Sequence, residues 1–303
     1  MDYRELLLLR AARETGVLDA LVSEADTPAD VAAATGVTER AAELTVDALR
    51  DAGLLADVGD GVEPTNRMLG FITKTDVRSI GSLPRELDRV EALVALPETM
   101  RSGAPPDPGV NATRNRLGAE AAADDASVRA AVTAAVREHP DAASVLVVAG
   151  GAGRHAVEFA RRGFDVTMLD EQPVVDAVEA RLDSERVDLR AGDPLDGVAG
   201  EFDVVFHAGV ARERGPGENR ELLRAAREAT GDGGLAIHVD VLRDGTPDAG
   251  ETAALLATTD AGECYDAATL GEWFADAGFD AVREGDVPGT DYRFVAGRRR
   301  ETE

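Results

Sequence analysis

Cysteine, lysine and long apolar runs are nearly absent from this chain of 303 residues. Cys264 is the single cysteine, which excludes an internal disulfide and a zinc site built from several thiolates, and we expect no metal site. Because no apolar run approaches the ~20 residues of a transmembrane helix, we expect a cytoplasmic protein that does not enter a membrane.

Negative charge, in contrast, is abundant. The 58 acidic residues outnumber the 32 basic ones and give a formal net charge of −26, with Lys74 as the single lysine. A field of this sign repels phosphate backbones, so nucleic acid is not an expected partner. The acids are spread along the whole chain, which resembles the proteins of salt-loving archaea. In molar salt the Debye length falls to ~3 Å, so repulsion within the chain would be largely screened.

The first hundred residues predict short helices followed by one hairpin. Thr27 and Pro28 are a capping residue and a first-turn proline, and they predict a helix that ends near Gly36. The next predicted helix covers residues 39–52, and residues 54–64 predict a two-stranded hairpin around a glycine-rich turn. Two helices followed by a hairpin are typical of a winged helix.

The second of these helices carries the wrong charge for reading DNA. It contains four acids and only two arginines: Glu39, Glu43, Asp47 and Asp51 against Arg40 and Arg50. Major-groove readers need cationic and amide side chains that face bases and phosphates. We therefore do not expect DNA binding, and a winged-helix regulator is the alternative that the motif leaves open.

Helical periodicity continues over residues 66–102, and the prolines and glycines of residues 102–109 then predict a linker. A further helix is predicted over residues 125–138. We therefore predict a winged-helix-like domain at 1–104, a linker and connecting helix at 105–140, and a second domain at 141–303.

The second domain alternates between strand-like and helix-like segments. Seven apolar runs predict strands, at 144–149, 165–169, 186–189, 202–207, 234–240, 281–284 and 292–296. Helices are predicted between the earlier ones, at 153–162, 174–182, 218–230 and 267–277. This alternation predicts an α/β, Rossmann-like, doubly wound sheet that is mainly parallel. Only a short loop joins the last two strands, so this pair must be antiparallel.

A glycine-rich turn follows the first predicted strand, with the sequence VVAGGAGRH at residues 147–155. Glycines let a backbone turn sharply and approach a ligand closely. The candidate ligand-binding positions in this turn are Ala149, Gly150, Gly151 and Gly153. The spacing of Gly151, Gly153 and Ala156 also fits a dinucleotide fingerprint, so a nicotinamide-dependent oxidoreductase is a further alternative.

Acids follow the next two predicted strands. Asp170 and Glu171 end the second strand, where folds of this type bind ribose hydroxyls, and Gly192 and Asp193 follow the third. The carboxyl ends of parallel strands meet at one edge of the sheet, where ligands bind. The Gly-Asp pair, the closing antiparallel strands and the helical domain in front favour S-adenosylmethionine (SAM) over a dinucleotide.

These features resemble the winged-helix, SAM-dependent O-methyltransferases that act on phenols, polyketides and other small molecules. The likeness rests on residues 145–155, Asp170, Asp193, the segment 215–220 and the helix end at 96–103. It implies SAM as cofactor, a small-molecule acceptor and a homodimer formed through the winged-helix domain. The cofactor-binding positions that it implies are Ala149, Gly150, Gly151, Gly153, Asp170, Glu171, Gly192, Asp193 and His207.

The chain departs from this family at two positions. Val147 stands where the family has an acid that holds the cofactor's ammonium group, and Arg212 stands where it has the histidine base. Arginine stays protonated and cannot act as a base, although it can stabilise a phenolate or anchor a carboxylate. His207, at the end of the fourth strand, is the other candidate catalytic residue, provided that a loop shift brings it to the acceptor. A relative that binds the cofactor but has lost methyl transfer, either a non-methylating enzyme or a ligand-responsive dimer, is therefore a third alternative.

Overall fold

The computed structural model describes residues 2–72, 80–245 and 249–300. The chain divides into two compact units, which we call the N-terminal unit (Met1–Val94 with Gly109–Ala122) and the C-terminal unit (Ala95–Pro108 with Ala123–Glu303). Among the described residues, no helix is both long and apolar enough to cross a membrane.

Helices and one hairpin build the N-terminal unit. The helices, of which α6 extends into the second unit, are α1 (Tyr3–Glu14), α2 (Val17–Ser23), α3 (Pro28–Thr35), α4 (Glu39–Asp51), α5 (Asn66–Ile72), α6 (Leu83–Ser102) and α7 (Ala112–Ala121). Strands β1 (Leu55–Val58) and β2 (Gly61–Pro64) pair antiparallel. The predicted pair of helices and the hairpin are confirmed. The helix predicted over 66–102 is α5 and α6, with residues 73–79 lying outside the described part of the chain.

Capping residues set the ends of α3 and α4, as the sequence indicates. The Thr27 hydroxyl accepts a hydrogen bond from the Asp30 amide, and the Thr38 hydroxyl accepts one from the Ala41 amide. Gly36 ends α3 in the left-handed conformation with φ 76°. The apolar faces of these helices meet in a core that includes the fully buried Val31 and Val46.

The C-terminal unit is a seven-stranded sheet with helices on both faces. The strands are β3 (Ser144–Val148), β4 (Asp165–Asp170), β5 (Val187–Ala191), β6 (Phe202–Ala208), β7 (Thr230–Asp240), β8 (Asp280–Asp286) and β9 (Arg293–Arg298). The helices are α8 (Asp125–Glu138), α9 (Arg154–Arg161), α10 (Gln172–Leu182), α11 (Pro216–Ala229), α12 (Ala249–Thr258) and α13 (Ala267–Asp276). All seven predicted strands are present, whereas α7 and α12 were not predicted.

The strand order is β5-β4-β3-β6-β7-β9-β8. Strands β3 to β7 run parallel, and β9 lies between β7 and β8, antiparallel to both. The predicted antiparallel closing pair is therefore confirmed. The order reverses between β3 and β6, so the carboxyl ends of these two strands form a switch point at which α/β sheets bind ligands.

Buried apolar side chains fill both faces of the sheet. On one face, Leu146 and Val205 belong to a cluster with Leu222 of α11 and Trp273 of α13. On the other face, the rings of Phe159 and Phe206 pack edge to face with centroids 5.2 Å apart. The sheet is therefore a rigid base that fixes the positions of the loops at its carboxyl edge.

Candidate functional site

The glycine-rich turn after β3 adopts conformations that L-residues rarely take. Ala149, Gly151 and Gly153 have φ values of 51°, 53° and 73°. This conformation costs nothing for glycine but of order 1 kcal/mol for Ala149. The Ala149 amide donates to the Leu169 carbonyl at 2.8 Å, which ties the turn to the end of β4.

Close packing explains two of the glycines. A Cβ atom on Gly150 would lie 2.8 Å from the Cγ atom of Met168, and one on Gly153 would lie 2.7 Å from a methyl group of Leu182. Larger residues would push the turn away from the sheet. The turn therefore lies low over the sheet edge, with Ala149 and Gly150 partly exposed and Gly151 buried.

The two acids at the end of β4 have different surroundings. Asp170 is 5% exposed, and its Oδ2 and Oδ1 atoms accept hydrogen bonds from the amides of Gly151 (2.8 Å) and Glu171 (2.9 Å). Glu171 is exposed and makes no capping bond to α10. Asp170 therefore sets the shape of the turn, while Glu171 presents its carboxylate at the edge. The sequence did not distinguish these roles.

The loop after β5 supplies the next acid. The Gly192 amide donates to the Asp170 carbonyl at 3.0 Å, and the exposed Asp193 accepts from the Leu195 amide at 2.8 Å through Oδ1. The structure thus gathers the predicted residues after β3, β4 and β5 at one edge. We call this group the glycine-turn site; its members are Ala149, Gly150, Gly151, Gly153, Asp170, Glu171, Gly192 and Asp193.

The glycine-turn site fits a nucleoside cofactor. Its exposed carboxylates, from Glu171 and Asp193, are able to accept hydrogen bonds from hydroxyl or amino groups, and its low turn leaves the backbone open to a close approach. Val147 is 2% exposed and pairs with Met168 and Phe206 inside the sheet. It offers nothing to an ammonium group, so that group would need backbone carbonyls.

His207 lies inside the unit and not at the edge. Its side chain is fully buried, and neither ring nitrogen makes a hydrogen bond of acceptable geometry. Burial lowers the pKa of His207 to about 3, with smaller contributions from His238 and Arg214, while a weak hydrogen bond with the Ile237 backbone acts to raise it. The ring is therefore neutral. The structure does not bring it to a place where an acceptor can reach it as a base.

Arg212, at the predicted base position, is held between two carboxylates. It lies in a single 3₁₀ turn (Ala211–Glu213), where its Nη1 atom is 2.8 Å from Oε1 of Glu251 and its Nε atom is 3.4 Å from Oδ1 of Asp240. Burial acts to lower the pKa of Arg212, but these two carboxylates outweigh it and raise the pKa above its usual value. The guanidinium group is therefore a permanent cation whose charge is already balanced.

Asp240 links this arginine to a buried histidine. It is 1% exposed, its Oδ1 atom also accepts from the Val241 amide at 2.8 Å, and its Oδ2 atom is 3.2 Å from Nε2 of His238. We call Arg212, His238, Asp240 and Glu251 the Arg212 cluster. Sequence reasoning missed Asp240 as a site residue, although an acid at the end of a parallel strand was a usable signal. Glu251 gave no such signal because helix α12 was not predicted.

Side chains from α11 and the segment before α13 fix the turn that carries Arg212. The Asn219 amide group donates to the carbonyls of Ala211 (3.0 Å) and Arg214 (3.1 Å), and the Tyr265 hydroxyl donates to Arg214 at 2.7 Å. These three hydrogen bonds fix the backbone that carries Arg212.

Within the described ranges, no group of three or more His, Cys, Asp or Glu side chains is arranged to hold a metal ion.

Solved structures share this fold over almost the whole chain. The structure of PigF with SAH (S-adenosylhomocysteine) has a TM-score of 0.71 and 20% sequence identity, and the match covers 98% of this chain and 96% of the PigF chain. The mitomycin 7-O-methyltransferase MmcR has a TM-score of 0.70 and 20% identity, covering 98% and 94%. Human N-acetylserotonin methyltransferase in complex with SAM has a TM-score of 0.67 and 22% identity, also covering 98% and 94%.

No protein-family profile matches the chain, and no curated protein matches it. The evidence of likeness is therefore structural, at identities of 22% or less for the three structures above. At that level the comparison establishes the fold: this chain has the two-part, seven-stranded α/β fold seen in O-methyltransferase structures.

Proposed function

We propose that this chain is a SAM-dependent methyltransferase that acts on a hydroxyl group of a small molecule. The observation that carries the proposal is the glycine-turn site, which lies at the carboxyl edge beside the switch point of the sheet. The same fold holds SAM or SAH in the human and PigF structures. When bound, SAM supplies a methyl group on a positively charged sulfur.

Each part of the glycine-turn site has a proposed task. The exposed Glu171 carboxylate accepts from the ribose hydroxyls, and Asp193 accepts from the adenine amino group. Asp170 acts indirectly by holding the turn through the Gly151 amide. Because Val147 lacks a carboxylate, the ammonium group forgoes a charge-assisted hydrogen bond worth ~1.5–3 kcal/mol, and we expect weaker binding than with an acid there.

The Arg212 cluster limits which acceptor hydroxyl groups can be methylated. Arg212 cannot take a proton, so it cannot activate a hydroxyl group of ordinary acidity. We propose that the acceptor is an acidic hydroxyl, such as a phenol or an enol, that ionises without a general base, and that the N–H groups of Arg212 not used by Asp240 and Glu251 donate to its oxygen. Methyl transfer should then be fastest for the most acidic acceptors of a phenol series at neutral pH.

Calorimetry tests the cofactor assignment. We expect the full chain in molar salt to bind S-adenosylmethionine and S-adenosylhomocysteine (SAH) and not to bind NAD. Binding of NAD alone would favour the oxidoreductase alternative and would overturn the proposal.

A cofactor-binding relative without methyl transfer is the second candidate function. The Arg212 cluster favours it, because the residue at the base position is a cation already paired with Asp240 and Glu251. Tight SAH binding with no methyl transfer to any phenol of the series would support this alternative over the first.

We also propose that the N-terminal unit is a winged-helix dimerisation domain in a cytoplasmic protein adapted to high salt. Helices α3 and α4 followed by the β1–β2 hairpin support the winged-helix assignment. Tyr3, Leu7 and Leu44 are large apolar residues exposed on this unit, which supports self-association. Light scattering in molar salt should give the mass of a dimer, and a monomer at micromolar concentration would contradict it.

A further inference from the structure

A cleft separates helix α8 from the β8–β9 hairpin within the C-terminal unit. Its volume is about 320 Å³, at the lower end of the range for small-molecule sites. Its lining residues come from two stretches of the chain, residues 129–138 of α8 and residues 286–294 of the hairpin. None of them belongs to the glycine-turn site or to the Arg212 cluster, so neither of those sites accounts for this cleft.

Apolar groups face one another across the cleft. On the hairpin side, the rings of Phe294 and Pro288 line it. A Cβ atom on Gly285 would lie 2.7 Å from a ring carbon of Phe294, so the glycine lets this ring lie against the backbone of β8. On the helix side, the small side chains of Ala130 and Ala134 leave the space between the two walls open. A flat apolar group fits between walls of this kind.

The acids of the cleft already have partners. The Oε2 atom of Glu138 is 3.3 Å from Nη1 of Arg283, and the Oδ1 atom of Asp286 is 3.1 Å from Nε of Arg293. The hydroxyl group of Thr133 is also engaged, since it donates to a backbone carbonyl of its own helix at 2.6 Å. These groups therefore leave the arginines of α8 as the polar side chains that are open to a ligand.

Two arginines, two turns apart on α8, line the cleft. Arg129 lies 3.9 Å from Asp125, too far for a hydrogen bond. Arg137 is exposed and makes neither an ion pair nor a hydrogen bond with any residue that the structure describes. In a chain with a net charge of −26, such a cation is available to an anion from solution.

We propose that this cleft binds an aromatic carboxylate, with its ring between Phe294 and the alanines of α8 and its carboxylate on Arg137. A guanidinium group matches the planar carboxylate and can form two parallel hydrogen bonds with it. The apolar walls supply the contact area for the ring, and the single free cation fixes the orientation of the ligand. The site does not depend on the proposed function, because binding here requires neither SAM nor methyl transfer.

The test is a titration of the full chain with 2-naphthoate, followed by ligand-observed NMR at one fixed salt concentration. We expect the natural chain to bind 2-naphthoate equally well with and without saturating SAH. Arg137→Gln removes the positive charge and should weaken this binding ~10-fold, as for the loss of a charge-assisted hydrogen bond. The neutral analogue 2-naphthalenemethanol should bind the natural chain and Arg137→Gln with the same affinity.

A second variant tests the apolar part of the cleft. Ala130→Phe fills the space between the walls and should remove the binding of both 2-naphthoate and its neutral analogue. Arg224→Gln is the matched control, because Arg224 is also an exposed helical arginine but lies on α11, which packs on the other face of the sheet. It should leave the affinity for 2-naphthoate unchanged. Urea unfolding of each variant would show that it is folded.

Three results would overturn the assignment. The first is the absence of 2-naphthoate binding to the natural chain, or an equal affinity in Arg137→Gln. The second is an equal loss of affinity in Arg137→Gln and Arg224→Gln, which would mean that the anion responds only to the overall charge of the chain. The third is displacement of 2-naphthoate by SAH, which would place it at the glycine-turn site. None of these results bears on the methyltransferase proposal, which the binding of SAH tests separately.

Discussion

The glycine-turn site and the Arg212 cluster lie at the same carboxyl edge of the sheet but use their charges in opposite ways. At the glycine-turn site, Glu171 and Asp193 are exposed. In the Arg212 cluster, Asp240 is buried, and it contacts Arg212, His238 and a backbone amide. Exposed carboxylates are available to a ligand, whereas buried ones hold protein groups in place. Substitutions should therefore change mainly binding at the first site and mainly stability at the second.

The largest effect is expected from Asp240→Asn. It leaves Arg212 and His238 without their shared buried carboxylate, and loss of one partner of such an ion pair costs about 3 kcal/mol in the free energy of unfolding. Urea unfolding would measure it. Asp188→Asn is the matched control, because Asp188 pairs with Arg190 while its side chain is 59% exposed, and it should cost less than about 0.5 kcal/mol. Equal stabilities of the two variants would remove the contrast between the sites.

The neighbouring acids Asp170 and Glu171 allow the same contrast to be made within the glycine-turn site. Asp170→Asn weakens charge-assisted bonds from two backbone amides, so we expect a loss of about 2 kcal/mol in stability together with weaker SAH binding. Glu171→Gln should leave stability within about 0.5 kcal/mol and weaken SAH binding ~10-fold. Urea unfolding and calorimetry on both variants separate the roles, and a reversed pattern would exchange them.

Acid should destabilise the chain partly through His207, beneath the glycine-turn site. Because burial lowers the pKa of His207 to about 3, the unfolded chain binds this proton more readily than the folded one. As far as this group is concerned, the stability of the fold is therefore greatest above about pH 6.5 and falls as the pH drops towards 3. At pH 5 the loss amounts to about 2 kcal/mol for this group, relative to neutral pH. Unfolding of His207→Leu at both pH values should show a correspondingly smaller fall, and parallel curves for the two chains would contradict it.

The sequence predicted the sheet and the location of the glycine-turn site well, because both depend on local signals. Apolar runs indicate strands wherever they occur, and a glycine-rich turn or an acid after a strand falls at the carboxyl edge once the strands are parallel. Which of Asp170 and Glu171 is buried depends instead on the Gly151 amide, 19 residues away along the chain. Likewise, Arg212 acquires its partner Glu251 from 39 residues away, on a helix with no clear signal of its own. Pairings of this kind arise only when the chain is folded.

The smallest effect is expected from Ala149→Gly, which tests whether the turn of the glycine-turn site holds strain. Ala149 has φ 51°, a conformation that costs energy for a residue with a Cβ atom and none for glycine. Glycine also makes the unfolded chain more flexible, which offsets about half of the gain, so we expect a net stabilisation of about 0.5 kcal/mol in urea unfolding. Ala160→Gly, in the last turn of helix α9, is the control, and it should destabilise by about 0.5 kcal/mol because its backbone is helical. The two substitutions are chemically identical, and their effects on the free energy of unfolding should have opposite signs.

If both destabilised the chain alike, the turn after β3 would carry no strain at Ala149. If Ala149→Gly stabilised the chain and left SAH affinity unchanged, the strain would be equal in the ligand-free chain and in the complex.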